Sequence, residues 1–180
     1  MERKKGKQAV CINSLDWIIK GYLAVGDLTS GTNLKKLKSM GIRGIISVVP
    51  QLPNTIAEYK YYDMAVLHIP IRDHPNQRIS TWFDPVREFI HYFIKRNHGV
   101  LIHCHAGRSR SVTLLASYLM KTFNISSQIA LNMIRVSRPC ITINSGFRKQ
   151  LDRYQRFLQF STRSRKKSRS RLQSRSKKKY

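Results

Sequence analysis

The chain has 180 residues, room for one domain with a single core, and its 41% apolar content with 7 Phe, 8 Tyr and 2 Trp excludes disorder throughout. No apolar run approaches the roughly 20 residues that span a bilayer, and the basic opening MERKKGK leads into no signal-type apolar stretch. Against 9 acidic residues stand 34 Lys and Arg, a net charge of +25 that favours polyanionic partners: phosphorylated protein, nucleic acid or an anionic membrane surface.

Residues 1–7 read as a disordered basic leader carrying +3. Residues 21–26 (GYLAVG) alternate between glycines and predict a short strand. Thr32 or Asn33 caps a helix through LKKLKSM that Gly41 stops. GIISVV (44–49) is a buried β-branched strand ended by Pro50, and AVLHIPI (65–71) is another, followed by the turn-rich RDHPNQ. Asp84 and Pro85 form a cap-and-first-turn signature for a helix with Val86, Phe89, Ile90, Phe93 and Ile94 inward.

GVLIH (99–103) is a fourth apolar strand, and a helix starts from Ser111 after the aperiodic CHAGRSR. Ser126 caps a helix with Ile129, Ala130, Met133 and Ile134 inward, and a last helix over 146–160 carries Phe147, Leu151, Tyr154, Phe157 and Leu158. Strands alternating with helices predict an α/β fold: a central, mostly parallel twisted sheet flanked by helices. That domain spans 8–160 and is itself basic, at +12. From Ser161 the composition changes to Ser, Arg and Lys, a disordered tail (161–180) with ten basic residues and no acid.

Three cysteines (Cys11, Cys104, Cys140) make no disulfide framework, and no paired Cys/His spacing suggests zinc. The expectation is a soluble, reduced, intracellular chain, with Cys11 and Cys140 as packing residues and no metal or cofactor.

The chemistry concentrates in 99–111, GVLIHCHAGRSRS, where a buried strand runs into a short loop and then directly into a helix. Such a loop aims several backbone N–H groups at one point and adds the positive end of the helix dipole, making an anion site from His105, Ala106, Gly107, Arg108, Ser109 and Arg110. Gly107 lets the backbone close tightly. Arg110 supplies a planar fork matched to two phosphate oxygens. Cys104, at the base of the loop, lies where the same positive field favours the thiolate, beneath the phosphorus of a bound phosphate.

HCHAGRSRS resembles the His-Cys-x-Ala-Gly-x-Ser-Arg-Ser signature of the dual-specificity protein phosphatases, within the cysteine-based phosphatase superfamily. The resemblance covers about residues 11–160. GYLAVGD looks like the family's early strand and turn, and RPCITINSGFRKQLDRYQRFL is similar to its closing helix. Compact length and the FDP…FIH stretch look most like the small atypical members without a kinase-docking domain.

The resemblance implies hydrolysis of phosphotyrosine and phosphoserine or phosphothreonine on protein substrates, in a shallow site, through a phosphocysteine intermediate. It implies a general acid after the strand that precedes the Phe/Ile-rich helix, which maps to Asp73; Asp63 lies before that strand and Asp84 serves better as a cap. Ser111 would stabilise Cys104 as a leaving thiolate, His103 would orient the cysteine from beneath, and Asn144 would brace the loop. Arg108 stays open between favouring acidic or multiply phosphorylated substrates and being an exposed charge. An RNA 5′-triphosphatase of the same superfamily is a rival, although those enzymes carry Asn-Arg-Thr where this chain has Ser109-Arg110-Ser111. A non-catalytic phospho-binding scaffold is another, opposed by the joint presence of Cys104, Arg110 and Asp73. The 161–180 tail, with four Ser-Arg dipeptides, suits nuclear import or RNA contact and thus a nuclear or cytoplasmic location.

Overall fold

GVLIH has no polar side chain before its final histidine, and such a strand is stable only with both faces covered. In the computed structural model, which describes residue 11 and residues 14–159, it forms β5 (Gly99–His103), buried at every position in the middle of a five-stranded sheet. The others are β1 (Leu15–Ile19), β2 (Leu23–Gly26), β3 (Ile42–Ser47) and β4 (Ala65–His68), in the order β1-β2-β5-β3-β4. Only the β1–β2 pair is antiparallel, so the sheet is mostly parallel, as expected. The leader and the 161–180 tail lie outside the described residues.

Alternation along the strands divides the core into two layers. Val100 and Ile102 pack with Leu23, Val25 and Ile46 beneath α4 (Phe83–Ile94), α5 (Arg110–Phe123), α6 (Ser127–Ser137) and a last helix, α7, over 145–159. Leu101 faces the opposite way, with Ala24, Ile42 and Ile45, against α2 (Leu34–Ser39) and the short α3 (Ile56–Tyr61). Between β2 and α2 lies the single-turn α1 (Leu28–Thr32). Gly26 and Ser47 both pair with His103, so β2, β5 and β3 end level. Open parallel sheets place ligands at such carboxyl ends, where neighbouring strands connect in opposite directions.

Several local expectations shift. Asn33 rather than Thr32 caps α2, its side chain accepting from the Lys36 N–H. The 65–71 strand ends at His68: Ile69 N–H still donates to Ser47 O at 2.9 Å, but Ile71 N–H turns back to Ile69 O at 2.9 Å instead of continuing the ladder. Asp84 is not the cap of α4: a 3₁₀ turn over Ile79–Trp82 runs straight into the helix, Trp82 takes the cap position, and Asp84 sits in the first turn. Ser126 does cap α6, but its inner face is Ala130, Leu131 and Ile134, leaving Ile129 and Met133 exposed. Phe157 is exposed too, while Leu158 is buried. β1, α1 and α3 are short and weakly patterned, and sequence periodicity does not find them.

The largest correction concerns the cysteines. Cys11 and Cys140, expected as separate packing residues, form a disulfide. A sequence separation of 129 hides the pair, and the fold reveals it by laying the segment before β1 beside the segment after α6. A cross-link closing so long a loop typically adds about 2–4 kcal/mol. Reductant should therefore lower the Tm of the full chain by roughly 5–10 °C, and a Cys11→Ser/Cys140→Ser chain should melt at that lower temperature with or without reductant. Equal melting of both proteins under oxidising conditions would contradict the pairing.

Candidate active site

The segment from His105 to Ser109 links β5 to α5. Its carbonyls are all held from outside. Leu28 N–H donates to the His105 carbonyl at 3.1 Å, Thr142 N–H to that of Arg108 at 2.9 Å, and Thr113 N–H to that of Ser109 at 2.8 Å. Arg138 takes the remaining two, with Nη2 donating to Ala106 O at 3.2 Å and Nε to Gly107 O at 2.6 Å. A peptide unit is planar, so a carbonyl held outward turns the next N–H inward. The Gly107 N–H donates at 3.2 Å to the Cys104 sulfur, and the N–H groups of His105, Ala106, Arg108 and Ser109 have no acceptor among the described residues. Gly107 adopts φ +61°, and a Cβ there would lie 2.5 Å from Gly26 O and 2.6 Å from Arg138 Nη2, so only glycine closes this turn.

Cys104 is buried at the floor of the ring. Its Sγ lies 3.2 Å from Ser111 Oγ, which sits in the first turn of α5 and is not the helix cap; Ser109 holds that position. Once the sulfur is a thiolate it can only accept, and the Ser111 hydroxyl stands within reach to donate to it. His103 points to the opposite layer, where a Cβ on Gly31 would fall 2.6 Å from its ring. Burial pushes its imidazole down to about 4, with the Cys104 main chain and Asp27 pulling the other way, so the ring is neutral near pH 7.

Arg110 lies over the ends of β3 and β4. Its Nη1 donates to Val48 O at 3.0 Å and Ile71 O at 3.2 Å, fixing the plane of the guanidinium. Its Nε has no hydrogen-bond partner and lies 3.8 Å from Asp73 Oδ2, so this edge of the fork is left for a ligand. Asp73 Oδ1 accepts from Ser109 Oγ at 2.8 Å and from Asn144 Nδ2 at 2.7 Å. The acid loop, the anion loop and the start of α7 therefore meet at one carboxylate. Asn144 also accepts from the Phe147 N–H at 2.9 Å. Close approach allows this: a Cβ on Gly146 would stand 1.9 Å from Pro75 O. Arg110, Asp73 and His105 line a cleft of about 560 Å³ with Leu28, Val49 and Leu52 among its apolar wall.

All eleven residues singled out from the sequence gather at this edge of the sheet. Arg108, left open there, has two of its donors engaged: its Nε donates to Cys140 O at 2.9 Å and its Nη2 to Thr142 Oγ1 at 3.1 Å. Sequence reasoning missed Arg138, which is fully buried and also bonds Ser14 and Asp16 of the opening segment. The available signals were an arginine ending a helix before Pro139 and its place at the head of the RPCITINSGF segment that carries the resemblance. Asp27, which caps α1 and accepts from Ser14 and Ser30, was given no role although it closes the GYLAVGD segment that carries part of the resemblance.

What this loop fits is a tetrahedral dianion poised over a thiol, and that requirement defines the cysteine-dependent phosphatases as a class. Within it, the chain belongs to the family described as dual specificity phosphatase, catalytic domain, which matches residues 23–157. It is 38% identical over 141 residues to human dual specificity protein phosphatase 9, covering 78% of this chain and 36% of that protein. Over 137 residues it is 34% identical to human dual specificity protein phosphatase 14, covering 76% and 66%. The structure of human DUSP28 superimposes with a TM-score of 0.75 at 25% identity, over 84% of this chain and 99% of that one. The chain thus spans little more than a third of the length of the first curated relatives it matches.

Proposed function

We propose that the protein hydrolyses phosphate esters of tyrosine and of serine or threonine in protein substrates, with Cys104 as nucleophile. The observation that carries this reading is the sulfur on the floor of a ring of inward amides, beside an arginine edge and a carboxylate held at the rim. In the first step the Cys104 thiolate attacks phosphorus, and the ester oxygen leaves as it takes the proton from Asp73. The loop amides and Arg110 hold the equatorial oxygens as their charge shifts. In the second step Asp73, now a carboxylate, takes a proton from water, whose oxygen attacks the phosphocysteine. Inorganic phosphate leaves, and the Ser111 hydroxyl donates to the departing sulfur. Asn144 and Ser109 act as positioning residues for Asp73, and His103 for the Cys104 main chain.

The resemblance of the 161–180 segment to import and RNA-binding sequences supports a nuclear or nuclear-and-cytoplasmic location, with the tail directing it. Removal of 161–180 should leave turnover of a small aryl phosphate intact and shift the chain out of the nucleus; unchanged distribution would rule out the targeting role.

Cys104→Ser should abolish turnover of phosphopeptide and aryl phosphate while retaining phosphopeptide binding, and measurable residual hydrolysis would remove Cys104 from the nucleophile role. Asp73→Asn should slow phosphopeptide hydrolysis by about 10²–10⁴-fold. An aryl phosphate with a good leaving group needs little protonation, so its loss should be much smaller. Equal losses on both substrates would point to another acid.

A further inference from the structure

Most of the basic residues of the folded segment, +12 net over residues 8–160, have no part in the chemistry above. Part of it is gathered beside the site. Two clefts adjoin there, sharing Lys149 and Arg153. The first, about 540 Å³, begins at Pro75 and Asn76, just past Asp73, and at Ser145, next to Asn144. The second, about 810 Å³, continues along α7 to the start of α6 at Ser126 and Ser127. Arg78, Arg148, Lys149, Arg153 and Arg156 line the pair. None of these five side chains forms an ion pair or a hydrogen bond among the described residues. The one acid on the walls, Asp152, accepts the Ser127 hydroxyl at 3.0 Å.

A solvated helix face needs no such arrangement. Lys149 and Arg153 stand four apart on α7, and Arg153 and Arg156 three apart; like charges at these spacings cost a helix about 0.2–0.5 kcal/mol per pair. The groove is also held in shape before any ligand arrives. Gln150 bridges its two sides, Oε1 accepting from Ser80 N–H at 3.0 Å and Nε2 donating to Gln77 O at 2.8 Å.

We propose that this groove is a docking subsite for an acidic segment of the phosphoprotein substrate, next to the scissile phosphoresidue on the Asp73 side of the cleft. The inference rests on the phosphoprotein reading above and adds where the rest of the substrate lies. Concave surfaces of one charge sign focus the field and raise the local concentration of the opposite charge. From residue 145 to residue 156, α7 rises about 17 Å, the span of about five residues of extended peptide. No aromatic side chain lines either cleft, so bases have nothing to stack on, whereas carboxylates and phosphates of a peptide need only the cations.

The test uses the full chain with a small aryl phosphate, a phosphopeptide with neutral flanks, and the same phosphopeptide with Asp/Glu runs on both sides. At low ionic strength the acid-flanked peptide should have a kcat/KM about tenfold higher, mainly through KM, the effect of two or three exposed ion pairs. The preference should shrink with added salt and vanish in Lys149→Glu/Arg153→Glu, with aryl phosphate turnover unchanged. A preference that survives in the variant overturns the proposal, as does its absence from a wild-type protein that cleaves the aryl phosphate. If the aryl phosphate is not cleaved, the catalytic reading fails, and anisotropy binding of the same labelled peptides decides the groove separately. Loss of acid-flanked binding in the double variant upholds it, and equal binding overturns it. A single-stranded RNA oligonucleotide that displaces the peptide at lower concentration than unlabelled peptide assigns the groove to nucleic acid and overturns the peptide assignment.

Discussion

A loop of amides becomes an anion site only when its carbonyls are occupied elsewhere, and in this chain a single buried guanidinium holds two of the five. Arg138 holds the carbonyls of Ala106 and Gly107 and hands its remaining donor to Ser14 and Asp16. Without it, the buried Gly107 carbonyl would lack a partner, at about 1–3 kcal/mol, the part-buried Ala106 carbonyl would lose its own, and the following N–H groups would no longer be held toward the sulfur. Charge balance follows from the same contact, because a buried cation needs a carboxylate and Asp16 on β1 supplies it. The opening strand is thereby coupled to an anion-site loop that lies far from it in sequence.

The other supports follow the same pattern, in which segments distant along the chain meet at the rim of one loop. Arg108 reaches to Cys140 and Thr142, while Cys140 itself is tied covalently to Cys11. Asp73 gathers Ser109 from the anion loop and Asn144 from the start of α7. The carboxylate's position is thus inherited from two other segments as well as from its own turn, which suits the proton-donor role proposed for it.

How much of this was legible in the sequence depends on the range of each interaction. β5, α5 and the glycine between them follow from nearest-neighbour rules: an apolar run, a tight turn and a helical period. Cys104, Arg110 and Gly107 were therefore readable, and Asp73 and Asn144 became so through resemblance to a known signature. Arg138, the Cys11–Cys140 link and the engagement of Arg108 were not, because each is defined by partners more than 30 positions away. The faces of α6 and α7 were misplaced at Ile129, Met133 and Phe157 because one turn of helical pattern permits two registers, and only packing chooses between them.

The level ends of β2, β5 and β3 carry a consequence for folding. Val100, Ile102 and Cys104 belong to one layer, Leu101 and His103 to the other. Sliding β5 by a single position against its neighbours would exchange the layers, burying the thiol under α1 and leaving an imidazole on the floor of the amide ring. A misassembled sheet would therefore present a sulfur inaccessible to any phosphate, so the reactivity of this one thiol reports directly on the fidelity of strand alignment.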